Sequence, residues 1–102
     1  MDKYLFAGLV DEWKRTRPPS SRMKDLTRVP AYREIVKGGW VAIPFIIEEL
    51  QREPDHYFQA LFEITGADPV KPEHRGKLKL MAEDWIQWWK DQSTSTSTTS
   101  IG

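Results

Sequence analysis

Cysteine is absent from the 102-residue chain, and that absence removes a disulfide framework, a thiol nucleophile and any cysteine-ligated zinc site. It fits a reducing cytoplasm, which is the expected location. Net charge is absent as well. Fifteen basic residues cancel fifteen acidic ones, so the chain as a whole has no basic footprint for nucleic acid or an anionic membrane. Little charge repulsion then separates copies, which leaves self-association open. Long apolar runs are also missing. Residues 5–10 are too few to span a membrane, and Asp11-Glu12 follow them with no small-residue cleavage site. Neither a membrane partner nor a signal peptide is expected.

The motifs of common chemistry are missing too. No Gly-x-Gly-x-x-Gly, Gly-x-x-x-x-Gly-Lys or Gly-x-Ser-x-Gly occurs, so phosphate cradles and a nucleophile elbow have no support. His56 and His74 are the only histidines, and eighteen positions apart they form no His-x-x-x-His spacing. A metal-dependent enzyme around His56, helped by Asp55 or Glu73, is the weakest of three functional readings. The carboxylate pairs Asp11-Glu12, Glu48-Glu49 and Glu83-Asp84 are adjacent in sequence, so on a helix their side chains diverge by about 100° and make no ready acid–base dyad. Asp11 with Arg15 and Glu48 with Arg52 have i,i+4 spacing on wet faces. The expectation is no enzyme and no cofactor.

What the chain does have is aromatic mass. Five Trp, four Phe and three Tyr can each bury about 150–250 Å², which a chain this small needs for a core. Apolar residues recur at helical spacing throughout. A first helix over residues 2–15 aligns Leu5, Phe6, Leu9, Val10 and Trp13, with Asp2 as its N-cap and Pro18-Pro19 as its stop. Ser20-Ser21 can cap a short turn with Met23 and Leu26 inward. Pro30 then opens a helix that Gly38-Gly39 closes. Residues 40–52 carry a β-branched run. Helix is preferred over strand there, because Pro44 suits a first turn and would spoil an inner strand. Pro54-Asp55 is expected to start a helix ending at Gly66, with His56 in its first turn. After a proline-rich loop, a last helix over residues 77–91 carries Trp85, Trp88 and Trp89. The chain thus reads as an all-α domain of about five helices over residues 1–92. Residues 93–102, almost wholly serine and threonine, read as a disordered tail, a bland exposed terminus in preference to a phosphorylation site.

Two resemblances follow. The stretch Ile35-Val36-Lys37-Gly38-Gly39-Trp40-Val41-Ala42-Ile43-Pro44 resembles the inter-helix corner of a HEAT-type repeat, which implies HEAT-like hairpins stacked on an N-terminal helix. A wider string is similar to a family of small, mostly uncharacterised bacterial proteins. It includes Pro30-Ala31-Tyr32, Ala42-Ile43-Pro44, Pro54-Asp55-His56-Tyr57-Phe58, Ile64-Thr65-Gly66, Pro69-Val70, Gly76 and Trp85. The sequence departs from that family at Val29, Gln59 and Trp89, where histidine, an aromatic and glycine are usual. The family implies no activity for any residue here.

Three tryptophans, Trp13, Trp40 and Trp85, sit on apolar stripes and are expected in the core. Trp88 and Trp89 point about 100° apart, so they cannot share one pocket. Either one of them packs inward and the other stays partly open, or the pair anchors a partner. The favoured reading is a protein-interaction module, either a homodimer or an adaptor for a small partner, touching through Trp88, Trp89, Trp40 and Tyr57. The alternative is a nucleic-acid-associated regulator using Arg15, Arg17, Arg22, Lys24 and Arg28 on the connector after the first helix. A second basic cluster stands at Lys71, Arg75, Lys77 and Lys79.

Overall fold

The computed structural model describes residues 1–19 and 22–101, with side chains described as far as Gln92. Asp2 caps the first helix, α1 (Lys3–Thr16), its carboxylate accepting the Leu5 N–H at 2.8 Å. Arg17 takes the extended conformation that Pro18 imposes on its predecessor, and α1 stops there. Its buried stripe is Phe6, Val10 and Trp13, while Leu5 is turned outward, against expectation. The stripe is narrower because only one side of α1 meets α3.

The short α2 (Met23–Thr27) buries Leu26 but leaves Met23 exposed. Its cap position is Arg22, without a side-chain bond, and the expected cap Ser20-Ser21 lies outside the described residues. Pro30 opens α3 (Pro30–Lys37) as anticipated. Gly38 is still right-handed, and the turn falls on Gly39 at φ 63°. A 3-10 turn (Gly39–Ala42) then leads into α4 (Ile43–Arg52), with Pro44 in its first turn. Ile43, Ile46, Ile47 and Leu50 are buried at i, i+3, i+4 and i+7, the signature of one helical face.

The next helix, α5 (Phe58–Thr65), starts later than Pro54 would suggest, so His56 precedes it. The physical reason is local. The Asp55 side chain takes the His56 N–H at 2.7 Å, and the Tyr57 N–H returns to the Asp55 carbonyl, so the segment closes as a turn. Gly66 ends α5 in the left-handed conformation, φ 72°. A loop with a 3-10 turn (Pro72–His74) precedes α6 (Leu78–Ile101). The expected tail, residues 93–102, falls where side chains lie outside the described residues.

Among the described residues there are six α-helices and no strand, so the chain is all-helical. Packing skips along the chain: α3 lies against both α1 and α5, and α4 lies against α6. Phe6 and Phe45 join α1 to α4, with ring centroids 5.5 Å apart. The centre is aromatic. Trp13 is fully buried, 5.2 Å from the Tyr32 ring and 5.3 Å from the Tyr57 ring, and its indole N–H donates to the Leu26 carbonyl at 2.8 Å. Arg17 covers this cluster from outside. Its guanidinium lies 4.6 Å from the Trp13 ring centroid and reaches both Asp55 oxygens, tying the end of α1 to the turn before α5.

Candidate interaction surface

The 3-10 turn determines which residues reach the surface. With three residues per turn, Gly39 and Ala42 share the inward side, and Ala42 is fully buried. Trp40 and Val41 are therefore turned out, 54% and 56% exposed. This corrects the expectation that Trp40 belongs to the core. That expectation carries the 3.6-residue period of α4 back through a segment that winds more tightly.

Trp40 is exposed but not isolated. Its ring centroid stands 6.3 Å from that of Trp88, and Trp88 meets Trp85 edge-on at 5.4 Å. Trp85 is buried. The three rings thus step from solvent to core, which holds the outer ring in place at low entropic cost. Trp89 is half-buried and packs on the core beside Trp88, so both members of the pair have an inward and an outward edge. Of the four residues expected at a partner surface, Trp40 and Trp88 are brought together and Trp89 adjoins on α6. Tyr57 is not available. It is fully buried against Trp13, and burial pushes its phenol well above the usual range, so it stays protonated within the core.

The basic connector is partly consumed by internal pairs. Arg15 is bound to Asp11 at 3.1 Å, Arg17 is held by Asp55 and Trp13, and Arg22 has a partner within the chain. Lys24 and Arg28 are exposed. The other charge pairs differ in part from the i,i+4 expectation. Glu48 reaches Lys3 at 3.6 Å, and Arg52 turns back to Glu49 at 2.6 Å.

The two histidines have separate surroundings. His74 Nδ1 lies 2.7 Å from Asp84 Oδ2, which also accepts the Lys71 N–H at 3.1 Å, so the loop is pinned to α6. Burial pushes the Asp84 carboxyl up, and these hydrogen bonds outweigh it, leaving the group below its ordinary range. Among the described residues no group of three or more His, Asp or Glu is placed to hold a metal ion. None of the described helices is long and apolar enough to cross a membrane.

Sequence reasoning missed one feature. A cavity of about 500 Å³ opens between α5, the loop after it and the start of α6, with Met23 of α2 at its edge. Phe58, Phe62, Val70, Met81 and Trp85 give it apolar walls, while His56, Asp68 and Arg75 supply polar groups. The only sequence signal was the Phe58 and Phe62 pair at i,i+4, of which Phe62 is 48% exposed.

No family model, no curated protein and no solved structure matches the chain.

Proposed function

We propose that the chain is a non-enzymatic protein-interaction module of the cytoplasm, burying its Trp40, Val41 and Trp88 face against a second copy of itself or a small protein partner. The observation that carries this reading is the adjacent exposure of Trp40 and Val41 on a turn braced by Trp88 and Trp85. Exposed, pre-positioned aromatics of this kind supply the anchors that dominate protein interfaces. A neutral chain adds no charge repulsion against a second copy. HEAT-like stacking and a bacterial origin belong to the same proposal. The alternation of α1, α3 and α5 with α4 and α6 supports the stacking. The nucleic-acid reading has less support, because Arg15 and Arg17 are engaged by carboxylates.

Light scattering tests the homodimer directly. Wild type at high micromolar concentration should show twice the chain mass of 11.9 kDa, and Trp40→Ser should show the monomer mass with unchanged circular dichroism. If both remain monomeric, the second-copy arm is wrong. A pull-down comparing the same two proteins then tests the partner arm, and equal recovery by both would reject the face.

A further inference from the structure

The cavity beside α5 lies apart from the Trp40 turn and has a chemistry of its own. Its volume of about 500 Å³ falls within the range of small-molecule sites, and its walls are mainly aromatic, aliphatic and thioether side chains. Met23 and Met81 give it adaptable edges, because an unbranched thioether repacks around different shapes. Its polar lining residues are His56 just before α5, Gln59 on α5, and Asp68 and Arg75 on the loop after it. The His56 imidazole makes no hydrogen bond among the described residues, while its backbone is fully used by Asp55 and Tyr32. Arg75 lines the same cavity and is held at its mouth by Asp68, at 2.6 Å, in an exposed pair. Of the basic residues Lys71, Arg75, Lys77 and Lys79 in residues 68–79, Arg75 lines the cavity. An apolar interior with one guanidinium and one imidazole in its lining complements an amphiphile bearing one negative head group.

We infer that this cavity binds a small anionic amphiphile, an aliphatic or aromatic body carrying a single carboxylate, with the body against Phe58, Phe62 and Trp85 and the head at Arg75 and His56. Asp68 acts as the internal competitor. It occupies the guanidinium that the ligand's carboxylate would take, so binding exchanges one exposed ion pair for another and gains the burial of the apolar body. This inference is independent of the proposed partner face, which is tested with a different variant.

The probe is decanoate below its micelle concentration, with decanol as the neutral counterpart, followed by backbone amide NMR titration and calorimetry. Decanoate should bind saturably, with shifts centred on the cavity, and more tightly than decanol. Asp68→Asn frees Arg75 and should tighten decanoate several-fold without changing decanol. Arg75→Gln should weaken decanoate about tenfold, the order expected for one charge-assisted hydrogen bond. Both substitutions are in exposed side chains, so the melting temperature should hold. Trp40→Ser should bind decanoate like wild type. Three results would overturn the inference: no saturable binding, shifts centred away from the cavity, or equal affinity for the acid and the alcohol in all variants. A fourth is loss of binding in step with dimer formation as protein concentration rises, which would mean that a second copy fills the cavity.

Discussion

Tyr32 joins three parts of the chain through one hydroxyl. It donates to the His56 carbonyl at 3.0 Å and accepts the Ala60 N–H at 2.9 Å, and its ring lies against Trp13. Burial raises its phenol well above the ordinary value, so it is protonated and able to donate at any working pH. Tyr32→Phe keeps the ring but leaves a buried N–H and a carbonyl without that partner. It should cost about 1–3 kcal/mol in urea unfolding, with an unchanged slope. Burial was legible for Trp13 and Trp85, whose stripes run through regular helices. It was not legible for Trp40 and Tyr57, for opposite reasons. Trp40 lies on a tightly wound turn that rotates it outward. Tyr57 lies just before α5, where helical periodicity gives no orientation and the aromatic cluster draws it in.

Element ends show where local chemistry overrides pattern. Pro30 and Gly66 mark ends that are read directly, since proline fits a first turn and glycine accepts a left-handed backbone. Gly66→Ala meets no atom within 4 Å, so its cost is purely conformational, about 1–2 kcal/mol. Gly8→Ala, inside α1 and equally free of neighbours, should instead stabilise by about 0.5–1 kcal/mol. Opposite shifts in melting temperature would check the pair. The start of α5 could not be read from Pro54, because Asp55 uses its side chain and carbonyl to close a turn first. Acid stability is also set at this scale. Two hydrogen bonds from Arg33 hold the Glu63 carboxyl below its ordinary value, and the His74 and Lys71 bonds do so for Asp84. A carboxyl depressed in the folded state contributes stability that is complete above its unfolded pKa and is lost as pH falls through its folded one. The melting temperature should therefore decline below about pH 4, near the unfolded values of such groups. Asp84→Asn should flatten part of that decline, and an unaltered profile would show that the loop pin does not matter.

At the scale of the molecule, helices that are distant in sequence form the contacts, and both candidate surfaces arise from that. The cavity joins Met23, residues 56–62 and residues 68–85, a grouping that no local pattern could announce. The partner face joins a turn before α4 to the middle of α6. Trp85 stands between them, lining the cavity while its ring meets Trp88. Helical class and most helix positions could be read from periodicity, prolines and glycines, whereas the choice of exposed aromatics depended on how the helices met. The most direct test places a photoreactive phenylalanine analogue at Val41 and, in a separate protein, at Tyr4, which is more exposed at 88% but lies on the outer side of α1. On irradiation in cells, the Val41 protein should give a discrete crosslinked species, a dimer or one partner adduct, and the Tyr4 protein should not. Equal crosslinking from both positions, or none from Val41, would contradict the claim that the Trp40 turn is the interaction surface.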